Sequence, residues 1–241
     1  MPRRGFGLAA CYHWQITTLA ILKGRIRRRT LSAAILHTLL LLPPCLAQGV
    51  ITTVAGSPRV FRGDGAPAAT VNLGEVQGVA VDSNGNVYAS DGNNRRVVRI
   101  SPAGVLTTFA GNGIAAFSGD GGPATVASLK NPAGLATDAA GNLYIVDAEN
   151  SRVRKVTSAG IITTVAGGGS DVRADGVPAT SAALSPLGVA VDATGNIYIA
   201  DTYHHRIRKV TPAGTITTLA GTGVEGFSGD DGPATAASLN T

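Results

Sequence analysis

The fold of this chain is decided by the stretch Gly188-Val-Ala-Val-Asp-Ala-Thr-Gly-Asn-Ile-Tyr-Ile-Ala-Asp201, which leads into Arg206-Ile-Arg-Lys-Val210. The same pattern occurs twice more, from Gly78 to Ile100 and from Gly134 to Val156. The three starting glycines lie 56 and 54 residues apart. A fixed period of this length indicates a repeat architecture, in which one supersecondary unit is copied along the chain.

Two further segments recur four times each. One is a β-branched run, found at Ile51-Thr-Thr-Val-Ala-Gly56, Leu106–Gly111, Ile162–Gly167 and Ile216–Gly221. The other is a glycine-rich insertion with a central aspartate, found at Phe61-Arg-Gly-Asp-Gly-Ala-Pro67, Phe117–Pro123, Val172–Pro178 and Phe227–Pro233. Each repeat unit is therefore longer than its most regular part.

Each unit predicts four strands. Gly188–Val191 and Asn196–Ala200 are nearly continuous apolar runs, which is typical of strands covered on both faces. Between them, Asp192–Gly195 predicts a hairpin turn, with the Asp accepting backbone N–H groups and the Gly in the left-handed region. Arg206–Val210 is expected as a third strand with a wetter face, and Ile216–Ala220 as the outermost strand. Four-stranded antiparallel blades repeated radially define an all-β fold, the β-propeller.

The quoted motifs resemble the NHL repeat, a family whose proteins form propellers, commonly of six blades. The resemblance covers residues 49–241. The insertion and the Ile-Thr-Thr-Val-Ala-Gly run resemble the long-repeat version found in bacterial exported proteins. Since three complete cores cannot close a ring, the resemblance implies an incomplete propeller, with about three blades of six, whose exposed blade edges favour self-association.

The domain organisation follows from the repeats. Residues 1–47 are expected to be a leader, and residues 48–241 the propeller blades. Within the blades, the complete cores span 78–100, 134–156 and 188–210, and partial units span 50–73 and 216–241.

The leader has the three parts of a secretory signal. Seven basic residues and no acidic one are followed by the apolar run Leu31–Leu42 and a small residue at Ala47. We therefore expect cleavage before Gln48 and a secreted or periplasmic protein, with no membrane span in the mature chain. A retained membrane anchor is the alternative.

Removing the leader changes the charge. Of 20 basic and 15 acidic residues, the mature part keeps 13 and 15, a net charge of about −2, so it has no basic stripe for nucleic acid. Cys11 and Cys45 both lie in the leader, so no disulfide is expected in the blades.

The candidate site is on one side of the blades. In an antiparallel blade, the loop between strands two and three lies on the same side as the connection to the next blade, and recognition concentrates on such loops. The Asp and Arg that flank each loop recur, which indicates a structural ion pair or strand-end cap: Asp91, Asp147, Asp201, Arg96, Arg152 and Arg206. The residues that differ between copies are the candidate ligand contacts: Asn93, Asn94, Glu149, Asn150, Tyr203, His204 and His205.

The insertions are expected on the same side. The proline that follows each aspartate can open a short helical turn, where the aspartate would receive backbone N–H groups. These aspartates are Asp64, Asp120, Asp175 and Asp230. Calcium binding by these carboxylates is the alternative.

No catalytic residue, metal site or cofactor is predicted. The mature part has two histidines, His204 and His205, and no Gly-x-Ser-x-Gly elbow, phosphate loop or cysteine nucleophile. The leading hypothesis is an exported, non-enzymatic scaffold that binds a protein, peptide or glycan. A fragment of a metal-dependent lyase or lactonase is the rival, because some propellers that this chain resembles have those activities; an extracellular sensor domain is a third hypothesis.

Overall fold

Three antiparallel sheets, two of four strands and one of five, follow one another along the chain in the computed structural model, which describes residues 63–240. The first blade consists of β1 (Val76–Val81), β2 (Val87–Asp91), β3 (Arg96–Ile100) and β4 (Leu106–Ala110). The second consists of β5 (Pro132–Thr137), β6 (Leu143–Asp147), β7 (Arg152–Val156) and β8 (Ile162–Gly167). The third consists of β10 (Gly188–Val191), β11 (Ile197–Asp201), β12 (Arg206–Val210) and β13 (Thr215–Ala220), and a two-residue strand, β9 (Val177–Pro178), lies beside it.

This arrangement confirms the predicted all-β fold of four-stranded blades. The predicted leader, residues 50–62 of the partial unit at 50–73, and the last residue of the partial unit at 216–241 lie outside the described residues. In the described part, no helix is long and apolar enough to cross a membrane.

The hairpin turn between the first two strands forms as predicted. In the second blade, the Asp138 carboxylate accepts the backbone N–H groups of Ala140 and Asn142, at 3.0 and 2.9 Å. It also accepts the Asn142 side-chain amide at 2.7 Å and the Tyr144 hydroxyl at 3.1 Å. Gly141 takes the left-handed conformation, with φ 77°. The same set of bonds recurs around Asp82 and Asp192.

These hydrogen bonds shift the pKa values of the aspartate and the tyrosine in the turn. Burial alone would raise the pKa of Asp138, but the hydrogen bonds from Asn142, Tyr144 and Ala140 outweigh it and hold the pKa below its ordinary value of 3.8. Burial and the bond to Asp138 raise the pKa of Tyr144 to about 12. The sequence Asp-x-x-Gly-Asn-x-Tyr therefore describes one closed polar unit.

Neighbouring blades meet along their inner strands, β1, β5 and β10. A Cβ on Gly78 would lie 2.3 Å from the Ala133 carbonyl oxygen, so any larger residue would push the first two blades apart. Across the same contact, the Thr137 hydroxyl donates to the Val81 carbonyl at 2.8 Å. The glycines at the start of the first two cores are required by this close approach, since a Cβ on Gly134 would likewise lie 2.6 Å from the Leu187 carbonyl oxygen.

Apolar side chains fill the space between the blades. One cluster joins the first and second blades and includes Tyr88, Leu135 and Ile145. A second cluster joins the second and third blades and includes Tyr144, Leu184 and Ile199. The outward faces of the end blades lack such cover in the described part: Val79 and Val81 are 59% and 57% exposed, and Leu219 is 45% exposed.

The fourth strand of each blade has a further neighbour, contrary to the expectation that it is outermost. We use the name edge segment for residues 63–68, 119–124 and 174–179, which lie along β4, β8 and β13 respectively. In the second blade, Gly121 N–H donates to the Ile162 carbonyl at 2.8 Å and Ile162 N–H donates back to Gly122 at 3.0 Å. Each edge segment therefore covers the outer edge of the blade that follows it, which removes a row of unpaired backbone groups.

The proline of each insertion opens a short helical turn, as predicted. Single 3₁₀ turns follow Pro67, Pro123, Pro178 and Pro233, at Ala68–Thr70, Ala124–Val126, Ala179–Ser181 and Ala234–Ala236.

We predict that Asp138→Asn lowers the free energy of unfolding by about 1 kcal/mol at pH 7, because it weakens charge-assisted hydrogen bonds. Because the folded-state pKa of Asp138 is depressed, its contribution is present above pH 3.8 and is lost as the pH falls through the folded value. Urea unfolding from pH 7 to pH 3 should therefore show the difference between the variant and the wild type shrinking in acid. A difference that stays constant over this range would contradict the assignment.

Candidate binding face

The second strand of every blade ends in a fully buried aspartate, Asp91, Asp147 or Asp201. One carboxylate oxygen of each accepts a backbone N–H from the connection that enters the same blade. The donors are Gly74 at 3.0 Å, Lys130 at 2.7 Å and Ser185 at 2.7 Å. Each aspartate therefore joins the end of the second strand to the entry of the first, on the side of the molecule that we call the loop face, which carries the loops 92–95, 148–151 and 202–205.

The residue three positions after each of these aspartates also binds its carboxylate. The side-chain amides of Asn94 and Asn150 donate to Asp91 and Asp147, both at 2.8 Å. In the third blade, His204 Nδ1 lies 2.8 Å from Asp201 Oδ1. These three candidate ligand contacts therefore hold the loop in place.

The remaining candidates sit at the loop tips or just after them. Asn93, Glu149 and Tyr203 occupy equivalent exposed positions, and Tyr203 is 68% exposed. His205 occupies the left-handed position that ends its loop, with φ 50°, and its Nδ1 is buried without a hydrogen-bond partner among the described residues. Arg95 and Ser151 take the same conformation in the other two loops.

A cleft of about 250 Å³ lies on the loop face between the first and second blades. Its charged residues are Glu75, Arg95, Lys130 and Glu149, and Asn93 and Asn131 also line it. Lys130 and Glu149 form an exposed ion pair of 3.3 Å. The Gln77 amide bridges Glu75, at 3.0 Å, and Asn131, at 3.4 Å.

The cleft brings together only two of the predicted contacts, Asn93 and Glu149. The sequence comparison of the loops does not single out Glu75, Arg95 or Lys130. Glu75 and Lys130 lie in the connections that enter the inner strands, and Arg95 is the last residue of its loop. The predicted topology places both kinds of segment on the loop face, and this is the signal that could have identified them.

The structural role predicted for the loop aspartates is confirmed, since each accepts a backbone N–H at the end of its strand. In the second and third blades, however, the predicted ion pair with the first arginine of the third strand does not form. Arg152 donates to the Asn150 carbonyl at 2.6 Å, and its guanidinium lies 3.8 Å from the centre of the Phe117 ring. Asp147 pairs instead with Arg154, at 3.3 Å. Asp201 similarly lies 3.8 Å from Arg208 rather than pairing with Arg206.

The prediction that one face of the third strand is exposed to water is also wrong. Arg154 and Arg208, which were expected on that face, are fully buried. Burial raises the pKa of Asp147, although Asn150, Lys130 and Arg154 counteract this effect. Burial also lowers the pKa of Arg208 despite Asp201 nearby. Both shifts show the cost of removing these charges from water.

The insertion aspartates hold the edge segments against the blades. Asp120 accepts Arg154 Nη2 at 2.6 Å and the Thr164 hydroxyl at 2.7 Å. Asp175 accepts the Thr218 N–H at 2.6 Å, and Asp64 accepts the Thr108 N–H. Asp64, Asp120 and Asp175 thus have a structural role, as predicted, but their hydrogen-bond donors belong to the blade and not to the turn. Most of each edge segment lies along the outer edge of a blade, whereas the prediction placed the insertions on the loop face.

Arg154 therefore connects two carboxylates, Asp147 and Asp120, and also donates to the Ser118 carbonyl at 3.2 Å. The first blade has Val98, fully buried, at the corresponding position. Among residues 63–240, no three His, Cys, Asp or Glu side chains come together in a group that could hold a metal ion.

We predict that Arg154→Met destabilises the protein by about 3 kcal/mol, because it leaves the buried Asp147 carboxylate without its cation. The matched control is Lys130→Met, which removes the cation of an exposed pair and should cost less than about 1 kcal/mol. Urea unfolding of both variants at pH 7 tests this prediction. Equal losses in the two variants would show that the buried network is no stronger than a surface pair.

The fold and the loop face define the class of this protein: a β-propeller segment whose blades present loops fixed by buried carboxylates. Residues 113–175 match the family model described as the teneurin NHL domain, and residues 184–210 match the model of the NHL repeat. These two segments therefore match NHL-repeat models, which confirms the resemblance seen in the sequence.

Known proteins share parts of this chain. Protein SUPPRESSOR OF QUENCHING 1 of Arabidopsis thaliana is 33% identical over 135 residues, which cover 52% of this chain and 13% of the relative. NHL repeat-containing protein 2 of Bos taurus is 36% identical over 110 residues, which cover 40% of this chain and 15% of the relative. The aligned part is thus a small share of each relative's length.

One solved structure, a structural genomics protein of unknown function from Bacteroides thetaiotaomicron, is similar with a TM-score of 0.53 and 25% identity. The match covers 69% of this chain and 40% of that chain. This similarity supports the fold.

Proposed function

We propose that this protein is an exported, non-enzymatic β-propeller module that binds a peptide segment of a protein partner through its loop face. The observation that carries the proposal is that each loop contains a repeated residue that fixes its backbone and an exposed tip that varies between blades. Asp91, Asp147 and Asp201 repeat and hold the backbone, whereas the exposed tips differ completely, as Asn93, Glu149 and Tyr203. A rigid scaffold that displays variable tips is the usual arrangement of a recognition surface.

The cleft indicates what kind of segment would fit. Its two acids, Glu75 and Glu149, lie among two cations, Arg95 and Lys130. Such a mixed surface favours a peptide that carries both signs of charge, because like-charge contacts would be unfavourable on a uniformly charged partner. A volume of about 250 Å³ accommodates one or two side chains rather than a large ligand.

Tyr203 adds a second contact area on the same face. An exposed tyrosine offers a large amphipathic surface at low cost in conformational entropy, as binding loops commonly do. Tyr203 is the middle residue of the 3₁₀ turn Thr202–His204, which His205 caps, so the ring projects from a fixed backbone.

The non-enzymatic part of the proposal is supported by the bonds of the repeated acids. The rival hypothesis needs carboxylates or histidines that are free to hold a metal or to transfer a proton. Asp120 is bound by Arg154 and Thr164, and His204 is bound to Asp201. The positions that could serve chemistry best are thus engaged in holding the loop and edge segments.

Binding at the loop face predicts that the triple variant Asn93→Ala, Glu149→Ala, Tyr203→Ala loses affinity while keeping its stability. Peptide arrays of mixed charge would identify ligands of the full chain, and isothermal titration would give their dissociation constants. We expect a loss of at least tenfold, about 1.4 kcal/mol, in the triple variant. The matched control, Ser83→Ala with Thr125→Ala, changes exposed residues away from this face and should bind as the wild type does.

Ligands that bind both variants equally would contradict the role of the loop face. Zinc or calcium that copurifies with the full chain and supports a lyase or lactonase activity, with both lost in Asp120→Ala or His204→Ala, would establish the rival.

The proposal that the protein is exported rests on the basic and apolar leader of residues 1–47, and it is tested separately. Expression in a bacterial host should give an extracytoplasmic protein whose first residue is Gln48, as determined by N-terminal sequencing. An uncleaved chain in the membrane fraction would favour the anchor alternative, and an uncleaved chain in the cytoplasm would refute export.

A further inference from the structure

A second cleft lies on the opposite side of the blades, which we call the hairpin face because it carries the turns 82–85, 138–141 and 192–195. It lies between the second and third blades and has a volume of about 660 Å³. This volume falls within the range of roughly 300–1,000 Å³ that is typical of small-molecule sites. The loop-face residues proposed above do not line it.

The repeat supplies an internal comparison. The corresponding cleft between the first and second blades holds only about 290 Å³. There, the Phe109 ring packs edge-on against Tyr88, with the ring centres 4.8 Å apart. The equivalent residue in the second blade is Val165, which leaves the equivalent Tyr144 without an aromatic neighbour and opens the space beside it.

Apolar and polar residues both line the larger cleft. Its aliphatic part consists of Val165 and the buried Ile197 and Val210, from three strands, and Pro178 and Pro212 border it. Tyr144, almost fully buried, also lines it. Its hydroxyl donates to Asp138, and its pKa of about 12 keeps it protonated at neutral pH.

One charge in the cleft has no counter-ion. Lys155 Nζ lies 5.4 Å from the centre of the Tyr144 ring, and within residues 63–240 it forms no ion pair. The one acid that lines the cleft, Asp138, already accepts bonds from Ala140, Asn142 and Tyr144. The cleft therefore combines an available cation with an aliphatic part of its wall.

We propose that this cleft binds a small organic anion with an aromatic or branched apolar body, such as an aryl carboxylate. The body packs between Val165, Ile197 and Val210, and the carboxylate pairs with Lys155. The Lys155 ammonium, which forms no ion pair among the described residues, favours an anionic group on the ligand, and the Phe109-to-Val165 difference is the reason that we expect the site at this blade junction and not at the other.

The probe for the experiment is naphthoate, titrated into the full chain and followed by the amide NMR signals of Thr164 and Gly214, two residues that line the cleft. We expect saturable shifts at these amides. Val165→Phe restores the ring present in the first blade and should weaken binding at least tenfold. Lys155→Met keeps the apolar stem but removes the charge, and should also weaken binding about tenfold.

The matched gain-of-function variant is Phe109→Val, which should open the smaller cleft beside Arg99 and create a second naphthoate site. Thermal unfolding confirms that each variant is folded before titration. Shifts that are absent, or that concentrate at Leu219 on the outer face of the third blade, would overturn the proposal. Unchanged affinity in a folded Val165→Phe variant would also overturn it.

Discussion

The buried carboxylate at the end of each second strand is the interaction on which the rest of this structure depends. Asp91, Asp147 and Asp201 are fully buried, and each fixes the connection that enters its own blade. The same group fixes the loop to the third strand through Asn94, Asn150 or His204. A buried carboxylate is unfavourable without donors, so these segments cannot move away independently. Rigidity of the loop face follows from this constraint.

The three blades show which parts of the network are essential and which are additions. The first blade keeps the aspartate but has Val98 where the others have a buried arginine. The second blade adds Arg154, which extends the network to Asp120 and the edge segment. In the third blade, Arg208 remains 3.8 Å from Asp201. The aspartate is thus common to all blades, and the arginine reinforces two of them.

Much of the fold could be predicted from the repeat, because a period, two apolar strands and an Asp-x-x-Gly turn are local signals. The order of the four strands and the side that carries the loops followed from antiparallel topology. The partners of the charges could not be predicted in this way. Arg152 and Arg154 are two residues apart on one strand, and only the packing of the insertion against the outer edge decides which of them faces Asp147. The edge segment itself depends on contacts between adjacent repeats, such as Gly121 with Ile162.

Native-state hydrogen exchange tests the central claim most directly. The amides of Gly74, Lys130 and Ser185 lie in connections, where exchange is ordinarily fast, but each donates to a buried carboxylate. We predict that these three amides exchange as slowly as the amides of the central strands β2, β6 and β11. Exchange at the rate of the exposed turn residues would contradict the account, because the connections would then open without breaking the core.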